Sequence, residues 1–191
     1  MDLQQWIATD HASVTTRFDN SIGQHVPQQY WKDGGPGGGP SIAWLLFHMT
    51  YHQDLALNTA VRDQVPLLQE HRTAVGLAAF VPSAGLSEAE ETDVVEALDV
   101  HGLDEYVALV NTSTASWIET MSIMALDSRP EASWRLEHKA GIAADGDLAW
   151  LHRLWTDKPV SWFIQWECIG HGHNHVGEMI GIRNRLGLSP F

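Results

Sequence analysis

Three histidines stand within five positions in the stretch ECIGHGHNHVGEMIG, residues 167–181: His171, His173 and His175, beside the only cysteine, Cys168, and between two glutamates. Imidazole nitrogen is a common ligand of borderline divalent metals, so this density raises the question of a metal site. The backbone decides which histidines can act together, since alternate residues share a face on a strand and diverge on a helix. On a helix, at about 100° per residue, His171 and His175 lie about 40° apart, together with Ile164, Cys168, Glu178 and Ile182, while His173 points away. Two ligands are too few for a site. His48 and His52 repeat the same spacing of four on an apolar stripe between Leu45 and Leu55, so a neighbouring helix can complete a three-histidine set with an open position for water or substrate. The zinc-protease pattern H-E-x-x-H is absent, because Gly172 stands where its glutamate would be.

Positioning these groups requires long helices, and the apolar periodicity supplies four. Leu3, Ile7, Val14 and Phe18 form the stripe of a first helix over residues 3–19, with His11 on the same stripe as a hydrogen-bonded core histidine. The DGGPGGGP loop after Trp31 lacks the Gly-Lys-Ser/Thr ending of a phosphate-binding loop. Ser41 is placed to cap a second helix running to about Val61. The connection over residues 66–100 carries short helical stretches, one opened by Ser87 and Glu90, and reads as an insertion or lid. A third helix begins near Asp104, with Val107, Val110, Thr114, Ile118 and Met121 in register. A fourth starts with Ser161 as its cap and stops at Gly187. Gly170, Gly177 and Gly181 form a stripe beside its histidine face that would admit a neighbouring helix closely, and Trp162 and Trp166 are expected to line a pocket.

The whole chain, residues 1–191, reads as one all-α domain, since no linker-like shift in composition divides it. A hydrophobic content of 44% with nine tryptophans implies cooperative folding. A formal charge of -13 with only 11 Lys and Arg argues against nucleic acid as a partner. No run reaches the ~18 apolar residues that span a bilayer, and MDLQQWIATD lacks the layout of a signal peptide, so no membrane partner and a cytoplasmic location are expected. The single cysteine fits a reducing compartment, and on a helix core face Cys168 reads as an inert small hydrophobe.

Taken together, SIAWLLFHMTYHQD, GHGHNHVGEMIG and the ending IRNRLGL resemble the DinB-like (DinB/YfiT) superfamily of metalloenzymes, near its mycothiol-dependent members. The resemblance implies an up-down-down-up four-helix bundle, here with short extra helices between the second and third. It also implies a divalent ion such as zinc or nickel on His48, His171 and His175, and a homodimer. The family often reads H-x-G-Q at the second histidine of the pair. Here it is His175-Val176-Gly177-Glu178, and a carboxylate can act as ligand, base or outer partner where glutamine cannot.

The function expected from this reading is a metal-dependent enzyme that activates a low-molecular-weight thiol for transfer to a small electrophilic substrate, since a bound cation favours thiolate over thiol. His52 and Glu178 are the candidates for catalytic proton transfer. Metal-bound water in the same position would give a hydrolase instead. A fully coordinated site would mark a non-catalytic, metal-binding bundle.

Overall fold

The side chain of Asp2 accepts a hydrogen bond from Gln5 N and caps α1, Leu3–Phe18, in the computed structural model, which describes residues 1–190. Ile7, His11, Val14 and Phe18 are the buried stripe of α1, which widens into a π-helical turn at Asp19–Gly23. Ser41 caps α2, Ile42–Asp54, by accepting from Trp44 N at 3.1 Å, and the helix continues with π-type bonding through Leu55–Val61. Every residue of α2 except His48 is buried. A helix apolar on nearly all sides must sit centrally, and α2 does.

After α3, Leu68–His71, and α4, Glu91–Ala97, the long α5 spans Val100–Thr120. It begins four residues before the expected Asp104 because Asp99 caps it, its carboxylate accepting from Gly102 N at 2.8 Å. Two short helices follow, α6, Ala132–Ala140, and α7, Ala149–Trp155. The final helical run is unbroken: α8, Val160–Trp162, a π-helical stretch Phe163–Gly170, and α9, His171–Arg185. Ser161 therefore lies inside the run and is not its cap. Pro159 stands at that position in an extended conformation, and Val160 N is satisfied by Ser128 O at 2.9 Å. Gly187, at φ +74°, ends the run.

Among the described residues all regular secondary structure is helical, with no strand, and no helix is long and apolar enough to cross a membrane. α1 packs on α5, α5 on α2, α2 on α9 and α9 on α1. Close approach of α1 and α9 depends on Gly172, where a Cβ would stand 2.7 Å from Val14 Cγ1. The expected stripe of Gly170, Gly177 and Gly181 has no such role. A Cβ on Gly177 or Gly181 would meet only an arginine tip at 3.9 Å, and one on Gly170 would meet its own helix at Gln165 and Trp166.

The connection over residues 66–100 is not a loose lid. Successive turns of α2 hold it: Asp54 accepts from Leu67 N at 3.0 Å and Leu68 N at 2.9 Å, and the Tyr51 hydroxyl donates to Pro82 O at 2.6 Å. The Arg72 guanidinium donates to the carbonyls of Phe80 and Val81. Gly85, at φ +93°, closes the connection onto the Phe47 ring, where any Cβ would collide.

Candidate metal centre

His48 leaves α2 at the point where Gly85 approaches it, and its Nδ1 lies 2.8 Å from Gly85 O. A carbonyl only accepts, so Nδ1 carries the hydrogen and Nε2 keeps its lone pair. His175 on α9 repeats the arrangement, its Nδ1–H donating to Glu178 Oε2 at 3.2 Å. With the neutral ring's hydrogen on Nδ1, His175 Nε2 accepts the contact it makes with His171 Nε2 at 2.8 Å, and His171 is the donor. The ring centroids of His171 and His175 are 4.4 Å apart, and His48 lies 5.3 Å from the first and 5.2 Å from the second. Each of the three has a ligand nitrogen within 4.8 Å of the other two.

Burial and mutual repulsion keep these rings uncharged. Burial, then the neighbouring His52, hold His48 down to about 3 despite the Gly85 bond, which opposes them. Burial and the positive charges that His52, His175 and His48 would carry push His171 further down. His175 is lowered by burial against the opposing pull of Glu178. Neutral imidazole is the form that binds a metal. His48, His171 and His175 are all only partly buried, so the cluster reaches solvent.

A deeper layer lies beneath. His52 is 4% exposed, and its Nδ1–H donates to Glu167 Oε2 at 3.2 Å. Glu167 is 2% exposed and accepts from Trp155 Nε1 on its other oxygen at 2.7 Å. Trp150 stacks on the His52 ring at 6.3 Å, and Trp155 meets it edge-on at 6.4 Å. Two buried nitrogens in this layer have no hydrogen-bond partner, His52 Nε2 and His171 Nδ1. Such orphans each cost ~1–3 kcal/mol, the mark of a site built for something besides packing. His52, Glu167 and His171 form a second set with ligand atoms within 4.8 Å of one another.

The structure thus brings His48, His171 and His175 together, sets His52 directly behind them and places Glu178 at the outer edge, half-exposed against His175. His173 belongs to neither set. It contacts Ser13 Oγ at 3.1 Å on α1, and because that hydroxyl donates to Asp10 O, His173 Nε2–H is the donor. Cys168 also stays out, fully buried, its thiol pushed well up by burial and then by Glu167. Trp166 is 41% exposed, and the tryptophans that wall the centre are Trp44, Trp150 and Trp155.

Glu167 escaped the sequence reading, although a signal was present: it precedes His171 by four residues, as His171 precedes His175. The π-helical stretch widens the buried face so that Glu167 and Cys168 both turn inward. Trp155 closes α7, 12 positions before Glu167, and Gly85 comes from the connection 37 positions beyond His48, so neither shares a helical row with its partner. Comparison with family models, curated proteins and solved structures finds no match to this chain.

Proposed function

We propose that the chain is a DinB-like four-helix bundle of up-down-down-up topology. In this reading it is an enzyme that holds a divalent metal on His48, His171 and His175 and activates a small thiol for attack on an electrophile. The observation that carries the proposal is the outward anchoring of His48 and His175. Each gives its Nδ1–H to a fixed acceptor and turns an Nε2 lone pair toward the common point shared with His171. Three neutral imidazoles suit zinc or nickel. Such an ion, when bound, stabilises a thiolate at neutral pH.

The residues around that point then divide the work. Gly85 and Glu178 fix the rings of His48 and His175. Trp44 and Trp150 flank the partly exposed face by which a small molecule enters. His52 presents its bare Nε2 as acceptor for the thiol proton, its tautomer held by Glu167. Glu178 orients a ligand from outside and does not face the reacting atoms.

Cobalt titration tests the proposal. The wild-type protein should bind one equivalent, lose it on His48→Ala, and develop a sulfur-to-cobalt charge-transfer band when mycothiol or a similar thiol is added. Absence of that band with any thiol, alongside cleavage of an ester or amide without thiol, would replace this reading with metal-assisted hydrolysis.

A further inference from the structure

Four imidazoles surround the centre, and three follow one pattern, Nδ1–H directed outward to an acceptor: Gly85 O for His48, Glu167 Oε2 for His52 and Glu178 Oε2 for His175. His171 alone breaks it. Its Nε2–H is spent on His175 Nε2 and its Nδ1 is bare, buried and unpartnered. A ring in that tautomer cannot offer Nε2 to a cation, because that nitrogen still carries its hydrogen. Glu167 Oε2, 3.9 Å from His171 Nδ1, is the acceptor within reach.

We propose that Glu167 is the positioning residue of the centre, the shared carboxylate that selects the metal-binding tautomer of His171 while it holds His52. This inference rests on the three-histidine reading above. On metal entry the His171 N–H bond at Nε2 breaks and one forms at Nδ1, with no net proton gained or lost. The Nδ1–H then closes on Glu167 Oε2, and all four rings direct Nε2 inward. Glu167 suits this task because it is buried and polarised from both sides: Trp155 Nε1–H occupies Oε1 at 2.7 Å and His52 Nδ1–H occupies Oε2 at 3.2 Å. A carboxylate oxygen has room for two donors, so Oε2 can take His52 and His171 together. The other use of His52, Glu167 and His171, a second cation site, would appear as a second metal equivalent that depends on Glu167.

Glutamine cannot replace this carboxylate. It has one acceptor oxygen and one NH₂, so either the Trp155 indole N–H or the two imidazole N–H groups would face another donor. Glu167→Gln should therefore weaken zinc binding by roughly 10–100-fold, the range for loss of an outer partner to a metal-bound histidine. Adding Trp155→Phe removes the indole donor, frees the amide to turn its oxygen to the histidines, and should restore affinity. General damage to the fold would be deepened by the second substitution, not relieved. Wild-type protein supplies a test that needs no variant: long-range ¹H–¹⁵N spectra of the zinc-loaded chain should show His171 bound through Nε2 with a protonated Nδ1.

Three results would overturn the proposal: Glu167→Gln binding zinc as tightly as wild type, His171 bound through Nδ1, or a second zinc equivalent that depends on Glu167. Failure of the underlying metal centre would look different, as wild-type protein that takes up no zinc, and would remove this inference with it.

Discussion

At the scale of the residue, what distinguishes the five histidines of the two clusters is where each sends its ring N–H. His48, His52 and His175 each have an outer acceptor, whereas His173, two positions from both His171 and His175, turns to Ser13. Its bond ties α9 to α1, and its removal should cost about 1 kcal/mol, the usual net worth of one hydrogen bond. His173→Ala is accordingly expected to keep full metal content with a small drop in melting temperature. Metal loss equal to that of His171→Ala, measured by elemental analysis, would contradict the placement of His173.

At the scale of the element, two glycines on one helix make opposite predictions. Gly172 faces Val14, so Gly172→Ala forces α1 and α9 apart and should destabilise the protein by ~1–3 kcal/mol, as overpacking does. Gly177 faces little but the Arg17 tip at 3.9 Å, and Gly177→Ala should stabilise by roughly 0.5–1 kcal/mol through the better helix propensity of alanine. Urea unfolding of both variants measures the contrast. The π-helical stretches belong to this scale too. Those at Leu55–Val61 and Phe163–Gly170 pack on each other, one just after His52 and the other carrying Glu167 toward it. Widened turns of this kind recur at functional sites because they re-aim a side chain without ending the helix.

At the scale of the whole molecule, folding buries imidazoles in neutral form, and this couples stability to pH. His11, 4% exposed, accepts at Nε2 from the Gln53 amide at 3.2 Å, and burial holds it down to about 4 from an ordinary 6.5. Between those values the unfolded chain binds the proton and the folded chain does not. Stability is therefore full above pH 6.5 and falls as the pH drops toward 4, by on the order of 3 kcal/mol from this residue. Metal-free protein should show the decline most clearly, because His48, held at about 3, adds to it in the same direction. Urea unfolding between pH 7 and 4 should find a shallower slope in His11→Gln, and an unchanged slope would assign the effect to other groups.

The helices and the pairing of histidines were legible in the sequence because both are local. An apolar stripe of Ile7, Val14 and Phe18 dictates a buried face for α1, Ser41 satisfies the first N–H groups of α2, and a spacing of four puts His171 beside His175 whatever surrounds them. Glu167 was partly legible as the next residue on that row. Glu178 reaches His175 within one helix, but the partners of His48 and His52 came from tertiary structure. Gly85 lies 37 positions from His48 and Glu167 lies 115 from His52, and no periodicity relates them. Chain packing alone determined that Gly172, not its neighbours, admits α1, and that the expected lid is bound turn by turn to α2. Side-chain spacing along one helix fixes a direction and a partner one turn away, as Glu178 is for His175, but a partner on another segment exists only once that segment arrives.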